Sequence, residues 1–183
     1  MQVIDSTEAA AAPAVPQGGR ERVAEVYTRE HGRLAALGAM LTGDAGAGED
    51  LAHDVFVEAL RRSGEDPEYL REPAWPWLRL ALVRRSMRRS ERIAGELRRL
   101  ALLGRSAAAA PAWSADTVDC LAALGGLPPR MRTCAVLFYW QDMPTAEVAR
   151  ALGLSERTVE NQLARARARL AEKLRVAVPG EEH

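Results

Sequence analysis

Residues 145–165, which read TAEVARALGLSERTVENQLAR, contain two short helical patterns with a turn between them. Thr145 is expected to cap the first helix by accepting a backbone N–H bond. Gly153 stands where the turn requires a left-handed backbone, and Ser155 is expected to cap the second helix. The pattern therefore predicts a helix-turn-helix.

The second helix of this motif has two different faces. The inner face carries apolar residues at helical spacing: Val159, Leu163, Ala166, Leu170 and Leu174. The outer face is polar and rich in hydrogen-bond donors. Arginine pairs with guanine and asparagine with adenine in the major groove, and further arginines meet phosphates. We therefore expect the DNA-contacting residues to be Arg157, Thr158, Asn161, Arg165 and Arg167. A plain helical hairpin with a solvated face is the alternative interpretation.

The composition indicates an all-α protein. Of 183 residues, 48% are hydrophobic and only 5% aromatic, and alanine, the strongest helix former, is abundant. Lysine plus arginine and aspartate plus glutamate number 25 each, so the formal net charge is zero. A zero total argues against a nucleic-acid binder, which is usually basic.

The charges are nevertheless separated along the chain. Residues 44–72 carry nine acidic residues and three arginines, whereas residues 79–105 carry nine arginines and two acidic residues. Residues 157–175 carry six basic and two acidic residues. This separation suits a protein that binds DNA and also docks on another protein, although charged solvated helix faces would give similar runs.

Several classes of protein are excluded by what the sequence contains. The longest apolar stretches are too short to span a membrane, and residues 1–19 do not have the pattern of a secretory signal. Two cysteines and three scattered histidines predict neither a disulfide scaffold nor a metal site. We expect a cytoplasmic protein that is not an enzyme, with no catalytic residues, cofactor or membrane insertion.

The pattern of helices and breakers predicts two small helical domains joined by a flexible linker. Residues 1–19 are expected to form a disordered tail, 20–103 the first domain, 104–115 the linker, 116–178 the second domain and 179–183 a short tail. In the first domain, Leu60 is expected to point inward together with Leu51 and Val55.

One helix of the first domain presents an acidic face. Asp50, His53 and Asp54 are spaced to lie on one side of it, where they would repel DNA but suit docking on a protein. A metal site is the alternative for these three residues, but a further ligand is lacking.

The next helix places two tryptophans before a ladder of arginines. Aromatic rings beside basic groups suit single-stranded DNA, whose bases stack and whose phosphates pair. The candidate residues are Trp75, Arg79, Arg84, Arg85, Arg88 and Arg89. The alternative is that both Trp75 and Trp77 belong to the core.

The order of these parts resembles the extracytoplasmic function group of the sigma-70 family of bacterial transcription initiation factors. Residues 49–56 (EDLAHDVF) look like the family's core-binding motif, with His53 where Gln is usual. Trp77-Leu78 and Leu80-Ala81 look like the start of its minus-ten helix, with Arg84 where Asn is frequent. Segments between Leu127 and Arg167 look like its fourth region, which binds the minus-thirty-five element.

The resemblance implies a function and a set of partners. The chain would direct core RNA polymerase, through its beta-prime and beta subunits, to promoter DNA and help to open it. The acidic face would hold the polymerase, and an anti-sigma factor would restrain the chain. A conventional regulator with a C-terminal helix-turn-helix and an N-terminal sensor or dimerisation domain is the second hypothesis. The two cysteines, Cys120 and Cys134, are expected to be small apolar residues of the second domain, with a redox pair as the alternative.

Overall fold

The computed structural model describes residues 17–66, 68–99 and 115–177, and all regular structure in these ranges is helical. The first domain contains α1 (Gln17–Thr42), α2 (Ala45–Glu65) and α3 (Trp75–Arg99). The second contains α4 (Ala115–Gly125), α5 (Pro129–Ala135) with a π-helical turn (Val136–Trp140), α6 (Thr145–Leu152) and α7 (Glu156–Ala177). Among the described helices, none is long and apolar enough to cross a membrane.

Helices α1 and α2 form a closely packed hairpin. Gly43 adopts a positive φ of 74° at the turn, and the Asp44 carboxylate then caps α2 by accepting a hydrogen bond from the Ala47 amide at 2.7 Å. Farther from the turn, Gly38 and Gly48 let the helix backbones approach so closely that a Cβ on Gly48 would lie 2.2 Å from the Ala39 nitrogen. This close crossing fixes how the faces of α1 and α2 meet.

Helix α3 completes the core of the first domain. Leu78, Leu82 and Val83 belong to the same buried apolar cluster as Leu34 and Leu37 of α1 and Val55 and Ala59 of α2. Leu60 was expected to point inward, but 41% of it is exposed, because the inner face of α2 is already filled by its buried neighbours. An amphipathic pattern predicts the direction of the apolar face of a helix more accurately than the number of residues that belong to that face.

The helix boundaries differ in detail from those expected. Helix α1 begins at Gln17, three residues before the expected start of the first domain, and α4 begins at Ala115, at the expected end of the linker. The remainder of the expected tail and of the linker lies outside the described residues.

The two domains are in direct contact, although the linker pattern gave no reason to expect it. Arg132 of α5 is 7% exposed and donates to backbone carbonyls of both domains: Leu41 at 3.3 Å, Gly125 at 3.1 Å and Leu127 at 3.0 Å. The Thr133 hydroxyl lies 3.8 Å from the sulfur of Met87 in α3. Buried apolar residues of both domains form one contiguous cluster.

Candidate nucleic-acid and protein interfaces

The helix-turn-helix forms as expected at its turn and at the start of α7. Gly153 has φ 65° and ψ 36°, a left-handed conformation that ends α6. Ser155 Oγ accepts a hydrogen bond from the Thr158 amide at 3.2 Å and so caps α7. The expected cap by Thr145 is wrong, because Pro144 occupies the N-cap position and no side chain there makes a capping bond. Thr145 is instead the first helical residue of α6.

The two faces of α7 are separated as the sequence predicts. Val159, Leu163 and Ala166 are buried, and Leu170 packs against the core from its edge. The expected DNA-contacting residues lie on the other side, and the exposed ones are Arg157, Asn161, Arg165 and Arg167. Thr158 is half-buried, and its hydroxyl lies 2.7 Å from that of Ser155, so it also takes part in the cap.

Part of the outer face of α7 lies near the first domain. Arg165 lines a cavity of about 720 Å³ that Met87 and Glu91 of α3 also line. Arg130 at the start of α5 also lines it and approaches the Glu91 carboxylate at 3.6 Å. The helix-turn-helix and the arginine-rich helix thus share one cavity in this arrangement of the domains.

The acidic face of α2 is exposed as expected, with an unexpected apolar component. Asp50 and Asp54 are exposed, and Val57, one helical turn beyond Asp54, is 66% exposed. Helical spacing places Val57 on the same side of α2 as both aspartates, so the sequence alone could have predicted that Val57 belongs to this surface. His53 is also exposed, but its ring contacts α1, where the Tyr27 hydroxyl lies 3.2 Å from Nε2.

A groove beside α3 brings together three of the expected DNA-binding arginines. Arg84, Arg85 and Arg88 line a cavity of about 220 Å³ together with Trp77. Tyr69 also lines it, and its ring meets Trp77 edge-on with 5.1 Å between centroids. We refer to this cavity as the arginine groove. Tyr69 was missed in the sequence because it lies in the breaker segment between α2 and α3.

Arginine pairing with Glu58 sets the charge at the α2 side of the groove. The Glu58 carboxylate accepts hydrogen bonds from Arg61 and Arg62, which lower its pKa to about 2. The Arg62 guanidinium also lies 5.2 Å from the centre of the Tyr69 ring. Glu58 therefore remains ionised beside the arginines at neutral pH.

The other candidates on α3 are not part of the arginine groove. Trp75 packs against the core. The Arg33 guanidinium lies 3.7 Å from the centre of the Trp75 ring and covers one face of that ring. Arg79 lines a separate cavity of about 300 Å³ with Arg150 of α6. Arg89 is half-buried and lines neither cavity. The arginine ladder is therefore distributed over several sides of α3.

Known proteins share both sequence and fold with this chain. Residues 119–170 match the family described as sigma-70, region 4. The protein named "Probable RNA polymerase sigma factor RfaY" from Xanthomonas campestris pv. campestris is 29% identical over 174 residues. That alignment covers 88% of this chain and 42% of RfaY, so the chain spans about two fifths of that relative. The RNA polymerase sigma-E factor of Streptomyces antibioticus is 45% identical over 60 residues, 33% of each chain.

Two solved structures have a similar fold. The sigma factor RpoE of Bartonella quintana, in complex with the anti-sigma factor NepR, is matched with a TM-score of 0.66 and 23% identity over 85% of this chain and 98% of RpoE. CnrH, in complex with the cytosolic domain of CnrY, is matched with a TM-score of 0.58 and 24% identity over 88% of this chain and 95% of CnrH. Residues 119–170 are therefore similar to region 4 of the sigma-70 family, and the described helices share the fold of the sigma factor RpoE and of CnrH.

Proposed function

We propose that this chain is an RNA polymerase sigma factor that directs core polymerase to specific promoters and helps to open promoter DNA. The observation that carries the proposal is a helix-turn-helix of the region 4 family in one chain with an exposed acidic face and an arginine groove. On this proposal the chain is not an enzyme, since it supplies binding surfaces to the polymerase, and it works in the cytoplasm.

Core polymerase is the proposed partner of the acidic face of α2. Asp50, His53 and Asp54 present negative charge and hydrogen-bonding groups, and the exposed Val57 adds an apolar contact next to them. A docking surface with an apolar centre and charged surroundings suits a stable complex with a basic surface on another protein. We propose that this basic surface belongs to the beta-prime subunit and that the beta subunit contacts other parts of the chain.

The minus-ten element is the proposed ligand of the arginine groove. Arg84, Arg85 and Arg88 would pair with phosphates of the separated strand, while Trp77 and Tyr69 offer ring edges and faces to unstacked bases. Trp75, Arg79 and Arg89 stay in the proposal as flanking contacts on the other sides of α3. Trp75 offers the smaller surface, because Arg33 covers one of its faces.

The upstream promoter element is the proposed ligand of α7. Arg157 and Asn161 are exposed near its start, where a helix in the major groove makes its base contacts. Arg165 faces the cavity shared with α3, so we propose that the domains separate when both promoter elements are bound. The two expected domains, residues 20–103 and 116–178, would then bind the two promoter elements separately while remaining joined through residues 104–115.

An anti-sigma factor is the remaining proposed partner. RpoE and CnrH are each seen bound to a second protein, which for RpoE is the anti-sigma factor NepR. The shared fold supports a similar restraint on this chain, in which the partner would hold the two domains in a closed arrangement.

Binding to core polymerase and promoter-dependent transcription test the proposal. The full chain should bind core polymerase in a pull-down and support run-off transcription from a pool of genomic promoters. Asp50→Arg with Asp54→Arg should weaken core binding at least tenfold, because like charges would face the basic docking surface. The matched control is Asp119→Arg with Glu172→Arg, which makes the same charge change at exposed positions away from α2.

The outcome also separates the two functional hypotheses. Lack of core binding by the unmodified chain would overturn the proposal, as would equal core binding by both charge-reversal pairs. Specific binding of the chain alone to promoter duplex, with no effect of core polymerase, would instead support a conventional regulator.

A further inference from the structure

A cluster of two histidines and a glutamate joins α1 to α2. His31 of α1 and Glu49 and His53 of α2 each place one ligand-type atom within 4.8 Å of the others. His31 Nε2 lies 3.2 Å from Glu49 Oε1, and His53 Nε2 lies 3.9 Å from the same oxygen. Glu49 and His53 are one helical turn apart, which puts them on one face of α2 opposite His31.

One nitrogen of this cluster, Nε2 of His31, makes no hydrogen bond within the described residues. His31 Nε2 is buried and makes no hydrogen bond there, although Glu49 Oε1 is near, because the oxygen is not aligned for hydrogen bonding. A buried polar atom that makes no hydrogen bond destabilises the folded state, and a ligand bound to that atom would remove this cost. The ring itself is held in place, since it stacks on Tyr27 with 4.5 Å between centroids.

We propose that His31, Glu49 and His53 form a binding site for one divalent transition-metal ion of the zinc class. Two imidazole nitrogens and a carboxylate oxygen are a ligand set that suits zinc, with water in the fourth position. Ligand atoms about 2.0–2.1 Å from a tetrahedral zinc lie roughly 3.3 Å from one another, so small side-chain rotations would close the observed spacing. Metal binding through His53 Nε2 would replace the contact of this nitrogen with the Tyr27 hydroxyl, which lies 3.2 Å from it.

A network without metal is the competing explanation of the same distances. A protonated His31 would pair with Glu49, and His53 would keep its contact with Tyr27. In that network His53 Nε2 pairs with the Tyr27 hydroxyl, and His31 Nε2 has only the Glu49 oxygen, with which it makes no hydrogen bond; a metal ion would instead bind all three groups at once. The sequence predicted no metal site because the histidines are far apart along the chain, and only the α1–α2 hairpin supplies His31 next to His53.

The site would affect the surface beside it. His53 lies between Asp50 and Asp54 on the acidic face of α2, so a bound ion would fix His53 toward α1 and add positive charge beside the aspartates. This consequence rests on the proposed function, but metal binding itself does not.

Zinc binding to the full-length, reduced protein tests the site. The protein freed of metal is titrated with zinc in competition with a chromophoric chelator, and cobalt is used in parallel because its visible absorption reports tetrahedral coordination. We expect one tightly bound equivalent. His31→Gln, Glu49→Gln and His53→Gln should each weaken binding about tenfold or more. Because His53 is exposed, His53→Gln is the variant whose fold is least at risk, and circular dichroism checks each variant.

Two control variants separate this site from adventitious binding. His183→Ala removes the histidine of the acidic C-terminal sequence, and Cys120→Ser removes the exposed thiol. Both should bind zinc as the unmodified protein does. Absence of stoichiometric binding, binding that survives His53→Gln, or binding lost in either control would each overturn the proposal. None of these results depends on polymerase or promoter binding.

Discussion

At the scale of single residues, the two cysteines have opposite environments. Cys120 is exposed, whereas Cys134 is fully buried and its burial raises the pKa of its thiol to about 11. The thiolate is the reactive form, so Cys134 stays protonated and shielded at neutral pH. A disulfide between Cys120 and Cys134 would therefore require the second domain to open.

Thiol reactivity checks this difference. With an aromatic disulfide reagent at about pH 8, near the ordinary cysteine pKa, we expect one thiol to react in the folded protein and both in urea. Cys120→Ser should remove the reaction of the folded protein and leave that of the unfolded chain. Equal rates for two thiols in the folded protein would show that Cys134 is accessible.

Local chemistry explains which residue-level expectations were confirmed. Gly153 and Ser155 could be placed from the sequence because a turn and its cap depend on the few residues around them. The same reasoning failed at Thr145, where the preceding Pro144 takes the cap position. His31 could not be placed near His53, since their proximity depends on how two helices pair.

At the scale of elements, the start of α7 depends on the side chain of Ser155. Ser155→Ala removes the bond from Ser155 Oγ to the Thr158 amide and should lower the free energy of unfolding by about 1 kcal/mol. Thr145→Ala is the matched control, because Thr145 makes no capping bond at the start of α6 and alanine favours helix. Its expected change is within about 0.5 kcal/mol.

Urea unfolding of the three proteins at one pH measures both changes. A larger loss for Thr145→Ala than for Ser155→Ala would mean that the cap of α6, and not that of α7, stabilises the motif. The same comparison in a promoter-binding assay with polymerase should follow the order of stability, since Ser155 also orients Thr158.

The faces of the helices were predictable to different degrees. The inner and outer sides of α7 follow from its 3.6-residue period, and the structure confirms that Val159, Leu163 and Ala166 are buried. In α3 the arginines are spread around the helix, so periodicity could not select among them. The arginine groove arises only where Trp77 and Arg84 meet Glu58, Arg62 and Tyr69 from earlier in the chain.

At the scale of the whole molecule, the contact between the domains was beyond the reach of the sequence. Composition predicted a linker, but a linker does not determine whether the domains it joins touch. Arg132 contributes buried hydrogen bonds to this contact, yet in the sequence it looks like any other helical arginine. Its burial follows from the backbone carbonyls of Leu41, Gly125 and Leu127, which accept its hydrogen bonds.

Gly43 and Gly125 offer a matched test of this contact, since they approach each other across the domain boundary. Gly43 has a positive φ, and a Cβ there would lie 2.5 Å from the Gly125 Cα and 2.9 Å from Arg132 Nη1. Gly43→Ala should therefore lower the free energy of unfolding by about 1–3 kcal/mol through backbone strain and steric overlap. It should also increase the radius of gyration measured by small-angle X-ray scattering, because the clash pushes the domains apart. In contrast, a Cβ on Gly125 would meet the Gly43 carbonyl at 3.5 Å, an ordinary contact, so Gly125→Ala should change neither quantity appreciably. If Gly125→Ala expanded the protein as much as Gly43→Ala, steric overlap at Gly43 could not be what separates the domains.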